Sequence, residues 1–187
     1  WMDETYKNAA PSYTVNFNIA QRTKKAGYYL SGEYYRQDGM FKKGNDIYDR
    51  YNMRAKVDFQ LTNWLNISNN TSFAFRKYDK PNIDMESFFH EVNRKSTLDV
   101  VRNPDGTYTK SGGAILGLLE NGGRSINDRR DFSTTFAATI DLLKDVWQIK
   151  ADATFRRDSE RTRRASLPYS YKQGPEMALE QNTTTSS

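Results

Sequence analysis

Few side chains in this sequence have the type and spacing for chemistry. His90 is the single histidine among 187 residues and there is no cysteine, so no shared imidazole and thiolate metal set can form and no disulfide framework is available. A solvated helix histidine is the plain reading of His90, and it receives no catalytic role. Asp58, Asp141 and Asp152 fall on the polar side of alternating stretches, where two carboxylates at a suitable separation could do glycosidase work. Lys56 and Lys150 share those polar sides, and ion pairing with them is the simpler account. The arginines at 156, 157, 161, 163 and 164 form the one dense patch of charge. By type they fit phosphate or carboxylate, which guanidinium groups bind through two parallel hydrogen bonds, but a solvated loop explains them equally well. No glycine-rich phosphate loop or nucleophile motif is present. No enzyme, metal or cofactor is expected, and no nucleic-acid partner.

The elements that must hold these residues are strands. From Tyr51 to Leu61 the residues Tyr51, Met53, Ala55, Val57, Phe59 and Leu61 alternate with Asn52, Arg54, Lys56, Asp58 and Gln60, the period of a strand with one apolar and one wet face. Leu65, Ile67, Phe73 and Phe75 continue the pattern after a tight turn at Thr62 and Asn63. The spacing predicts six strands in three hairpins, at about 13–22, 27–37, 51–61, 64–75, 131–143 and 147–157. Val57, Phe59, Ile67, Phe73, Phe136 and Ile149 should share one side, with Arg54, Lys56, Asp58, Asp141, Lys150 and Asp152 on the other. Strands of roughly ten residues cross a tilted bilayer, about twice the usual soluble length.

Between the fourth and fifth strands the alternation stops, over about 76–130. Loops of that length are uncommon in compact domains and are usually functional or disordered. Asp84 should cap a helix carrying Met85, Phe88, Phe89 and Val92 at helical spacing. Asn103-Pro104-Asp105-Gly106 reads as a turn, and Ala114 to Leu119 as a second short helix closed by Gly122 and Gly123. Tyr78, Phe88, Phe89 and Tyr108 are the aromatic residues this excursion offers to a partner or substrate. Packing of both phenylalanines under their own loop is the alternative. The remainder, about 158–187, reads as loop and tail, which puts Arg161, Arg163 and Arg164 at an outer strand end, facing lipid phosphate or an acidic partner.

The connections carry a further signal. They are short after the first, third and fifth strands and long after the second, fourth and sixth, the layout of an outer-membrane barrel. Trp64 and Trp147 follow short turns, while Tyr34, Phe75 and Phe155 lie near the opposite strand ends, as two aromatic girdles would. Asn69 and Thr71 on the apolar side count against lipid. The competing fold is a β-sandwich, and with it a soluble all-β carbohydrate-binding module. Mean hydropathy is strongly negative and no apolar run is long enough for a membrane-spanning helix, which leaves a barrel open because alternation halves a strand's apparent hydrophobicity. The sequence opens at Trp1 in a polar stretch without a signal-peptide pattern, and reads as a piece of a longer protein.

The run Tyr28-Tyr29-Leu30-Ser31-Gly32-Glu33-Tyr34-Tyr35-Arg36-Gln37-Asp38-Gly39-Met40-Phe41, then Tyr48-Asp49-Arg50-Tyr51-Asn52-Met53-Arg54, resembles the SusC/RagA-type TonB-dependent receptors. Trp1 and Asp3, Asn103 to Tyr108, and Arg130-Asp131-Phe132 look like the same family; the resemblance departs at Asn18 to Arg22, where a Ser-Gly-Gly run is common and Asn18-Ile19-Ala20-Gln21 stands instead. It implies an all-β fold, here six strands of a transmembrane antiparallel up-and-down barrel of 22 strands, with a partly helical extracellular loop. It also implies the cell outer membrane of the Gram-negative type, a SusD-like surface lipoprotein and TonB as partners, outer-membrane lipid around the wall, and a glycan or peptide as cargo. The plug and the TonB box are not in this sequence.

Overall fold

The computed structural model describes residues 1–182 except Thr97, Lys144 and Asp145. Six antiparallel strands form one sheet in chain order: β1 (Ser12–Arg22), β2 (Ala26–Asp38), β3 (Ile47–Gln60), β4 (Leu65–Pro81), β5 (Gly123–Leu143) and β6 (Trp147–Ser166). The sheet is an open meander. Its outer strands, β1 and β6, are exposed along their whole length, and among the described residues neither pairs with a further strand.

Register sorts the side chains as the alternation requires. Met53 stands opposite Phe73, Val57 opposite Asn69, Phe73 opposite Phe132 and Ile140 opposite Ile149, so Val57, Phe59, Ile67, Phe73, Phe136 and Ile149 share one face. No second layer packs on it among the described residues. Phe136 is 58% exposed and Val57 45%, where the inner face of a sandwich would be buried. Phe17 lies directly opposite Gly32, and its ring occupies the place a Cβ there would need.

Strand ends differ from the alternation. β4 runs six residues beyond Phe75, β5 begins at Gly123 and not near 131, and β6 extends to Ser166 and not 157. The long excursion therefore shrinks to 82–122, and Tyr78, Arg161, Arg163 and Arg164 lie on strands, not loops. In these extensions both sides carry polar groups, so the period of two vanishes while the backbone ladder continues. The hairpin turn after β1 closes through Thr23 N to Ala26 O at 2.7 Å, and that after β3 through Leu61 N to Leu65 O at 3.0 Å. The tight turn expected at 144–146 falls mainly on Lys144 and Asp145, outside the described residues.

The buried core lies off the sheet. Phe41, Phe88, Val92, Tyr108, Ile115, Leu116 and Leu119 form it, with Trp1, Tyr6, Phe89, Val101 and Tyr171 packed at its edge. It belongs to a cap at the end of the sheet that carries the long connections. Helix α1 (Met2–Thr5) sits on the N-terminal segment, and α2 (Met85–Asn93) begins at Asp84, whose side chain accepts from Ser87 N at 2.9 Å, the hydrogen bond of a helix N-cap. The second helix is longer than expected: α3 (Lys110–Gly112), a π-turn over Gly113–Gly117 and α4 (Leu118–Asn121) run together. Two short strands, β7 (Ser170–Tyr171) and β8 (Glu180–Gln181), pair beside it.

Candidate functional site: an apolar face, a polar groove and a cap

The apolar face stops at the same kind of residue on every strand. Its last ring is Tyr13 on β1, Tyr34 on β2, Tyr51 on β3, Phe75 on β4, Phe132 on β5 and Phe155 on β6. The next side chain on that face is charged on five of the strands, namely Arg36, Asp49, Lys77, Arg130 and Arg157. The rings touch in sequence: Tyr13 and Tyr34 at 5.7 Å, Tyr34 and Tyr51 at 4.7 Å, Tyr51 and Phe75 at 6.1 Å, Phe132 and Phe155 at 6.4 Å. The Arg130 guanidinium lies 5.6 Å over the Phe75 ring and joins the two groups. At about 3.3 Å per residue, the strand from Leu65 to Phe75 covers roughly 33 Å. Tilted by about 40°, it spans roughly 25 Å, the height of a barrel's lipid-facing band.

Asn69 and Thr71 do sit on this face, but not unsatisfied. Asn69 Nδ2 donates to Thr134 Oγ1 at 3.0 Å and to Thr135 O at 3.3 Å, Thr71 Oγ1 donates to Asn69 Oδ1 at 2.9 Å, and the two threonine hydroxyls meet at 2.8 Å. Polar groups bonded in this way avoid most of the cost of an apolar surrounding.

The opposite face curves into a groove of about 860 Å³ that all six strands line. Asn16, Tyr29, Glu33, Arg54, Arg76 and Asp131 are among its side chains. Glu33 accepts from Arg50 Nη2 at 2.6 Å and from Asn52 Nδ2 at 3.0 Å. Asp131 draws Arg129 to 3.2 Å and Arg76 to 3.4 Å. The carboxylates Asp58, Asp141 and Asp152 are not brought together. Asp58 and Asp152 share a cross-strand row through Ser68 and Ala137, but three strand spacings put them roughly 14 Å apart, beyond either glycosidase geometry. Asp58 lies 3.6 Å from Lys56 and Asp141 accepts from Gln148 at 2.7 Å. His90 is exposed beside Arg94 on α2.

The cap reassigns the aromatic residues. Phe88 is 5% exposed and Tyr108 9%, so neither stands free for a partner; both are spent on the cap's own core. Phe88 meets Phe41 edge-on at 5.4 Å, and Tyr6 stacks on Phe41 and Phe89 at 5.8 and 6.2 Å. Phe89 is half-buried. The missed partners are Tyr6 and Phe41, which lie in short irregular segments with no periodicity to mark them. Tyr78 projects on the groove face of β4 and donates to Asp46 Oδ1 at 3.3 Å. Gly44 (φ +74°) passes so close to the Leu119 carbonyl that a Cβ would not fit, which ties the connection between β2 and β3 to α4.

Electrostatic ties hold the cap's rim. Tyr108 Oη donates to Glu120 Oε2 at 2.6 Å and Arg102 lies 4.1 Å over the Tyr108 ring. Burial, reinforced by Glu120, pushes the Tyr108 phenol up to about 12, and the hydrogen bond from Tyr108 holds the Glu120 carboxyl below its usual range. Lys172 and Thr107 do the same to Asp105, with Lys172 Nζ at 2.8 Å.

The arginine patch divides between the faces. Arg157, Arg161 and Arg163 project on the apolar side of β6, and Arg156 and Arg164 on the groove side. Arg163 is committed to Asp128 at 2.7 Å. No protein-family model matches the chain and no curated protein matches it significantly.

Proposed function

We propose that this chain forms wall and outer cap of a TonB-dependent outer-membrane importer of the SusC/RagA type, taking up oligosaccharide or peptide together with a SusD-like surface lipoprotein. The observation that carries the membrane part is the apolar face that ends at an aromatic ring on every strand, uncovered by any second layer among the described residues. An exposed apolar area of this size on a protein in water is a liability, and against lipid it is the requirement. The importer part rests on the resemblance carried by Tyr28 to Phe41 and Tyr48 to Arg54. Within that reading the groove side faces the barrel interior. The cap stands outside the cell, where Leu98 at 87% and Val100 at 64% exposure offer an apolar surface to the lipoprotein.

The test is single-cysteine labelling in the full-length protein in native membranes. Cysteine at Met53, Ile67 or Ala151 should react with a membrane-partitioning maleimide and resist a charged one, and cysteine at Leu98 should do the reverse. Recovery of the protein in the aqueous fraction, with all four sites open to the charged reagent, would favour a soluble carbohydrate-binding module.

A further inference from the structure

The apolar face carries a second feature just beyond its aromatic edge. Arg130 on β5 stands directly opposite Ser159 on β6, and the neighbours of Ser159 on the same face are Arg157 and Arg161. Side chains diagonal across an antiparallel pair sit about 7–8 Å apart at the backbone, so three long guanidinium groups can converge above one serine hydroxyl. All three arginines are exposed. On this part of the face Arg124 pairs with Asp79 and Arg36 with Asp38, Lys77 adds a further positive charge, and Asp128, which stands between Lys77 and Arg161 in register, is engaged by Arg163. Arg130, Arg157 and Arg161 make no ion pair among the described residues. The Arg130 guanidinium rests over the Phe75 ring of β4, its neighbour on the side away from β6, and a rotation of its long side chain brings it to the β6 pair. The resulting excess of positive charge sits at the edge of an apolar band, with planar donors suited to tetrahedral oxyanions.

We infer that Arg130, Arg157 and Arg161, with Ser159 between them, form a binding site for a phosphomonoester on an outer-leaflet glycolipid, whose acyl chains lie along the apolar face below. The inference rests on the membrane reading above, since only there do acyl chains cover that face. The site fits a lipid phosphate better than a free one: the acyl chains would run past Phe132, Phe155 and Phe136, and the phosphate alone would gain nothing from them.

The experiment uses the full-length protein, purified in detergent and titrated with a diphosphorylated glycolipid, with the same lipid after phosphatase treatment, and with inorganic phosphate. Wild type should prefer the phosphorylated lipid by at least tenfold over the dephosphorylated form and bind inorganic phosphate far more weakly. The variant R130Q/R157Q/R161Q should lose at least tenfold in affinity for the phosphorylated lipid alone. R130K/R157K/R161K should fall between, because lysine keeps the charge without the fork. R164Q should stay within twofold of wild type, its guanidinium lying on the groove face. Wild-type affinity in the triple glutamine variant, or an equal loss in R164Q, would overturn the site. Equal binding of inorganic phosphate would overturn the lipid assignment. Should the triple variant misfold, the wild-type preference and R161Q alone decide. A protein that needs no detergent fails the membrane reading itself, whereas one that is inserted but indifferent to phosphorylation fails only this site.

Discussion

Asn69, Thr71 and Thr134 sit in the middle of the apolar face and bond mainly to one another. In water each bond could be exchanged for solvent at little cost; in lipid it could not. Thr134→Val removes one bond from each of its two partners, Asn69 keeping Thr135 O and Thr71 keeping Asn69 Oδ1, and should cost about 1 kcal/mol for the protein in bilayers, whereas replacing all three by apolar residues of similar shape should be near neutral. Denaturant unfolding from vesicles measures both, and a costless single substitution would argue against lipid at that depth. Val57→Arg should cost about 2–4 kcal/mol near the midplane, while Ser68→Arg on the groove face should stay within about 0.5 kcal/mol. The sequence makes the face itself readable but not this triad. Thr134 is separated from Asn69 by the whole excursion, and only the register between β4 and β5 reveals that the polar groups on the apolar side are mutually satisfied.

Elements were legible where a period survives and illegible where it does not. The first two strands are legible to within a residue at each end because their two faces differ in polarity, the third is legible except for its start, which lies four residues earlier at Ile47, and α2 is legible because Asp84 and the apolar spacing mark it. The outer parts of β4, β5 and β6 are hidden because both of their sides are polar, which is why the alternation puts Tyr78, Arg161, Arg163 and Arg164 outside the strands that hold them. The cap's integrity was hidden for another reason: Phe41 at 1% exposure comes from a short loop whose own sequence gives no sign that it will be covered. Phe41→Ala should therefore cost about 3–5 kcal/mol of cap stability and expose the excursion to protease at sites far from residue 41, with the sheet's circular dichroism unchanged. Acid should act on the same element. The Glu120 and Asp105 carboxyls are held low by Tyr108 and Lys172 respectively, and Asp84 by the Ser87 amide. Groups with lowered folded values contribute stability above the ordinary carboxylate pKa of about 4 and lose it as pH falls through those lowered values. Cap protection from an acid-active protease should be constant down to about pH 4 and decline below it, ahead of the sheet; a cap that loosens on raising the pH from neutral would contradict these ties.

At the scale of the molecule, the burial is inverted relative to a soluble domain: the core is in the cap, and the long sheet has none of its own. Among the described residues the sheet also ends in two unpaired edges, β1 and β6, one of them as long as Trp147–Ser166. Edge strands of this kind invite pairing in water, and in a bilayer each unsatisfied backbone group costs several kcal/mol, so the membrane reading demands that further strands complete the sheet. The demand has a measurable signature in amide exchange. On an edge strand only every second amide is bonded to the neighbour, because alternate groups point outward. In this chain alone, refolded in detergent, β1 and β6 should show that alternation, slow amides interleaved with fast ones, while β2 to β5 are slow throughout. In the full-length protein in lipid the alternation should disappear from both strands, every amide within the band becoming slow. Persistence of fast alternate amides on either strand in the intact, inserted protein would mean that the sheet stays open there, and an open sheet at that depth is incompatible with a barrel wall.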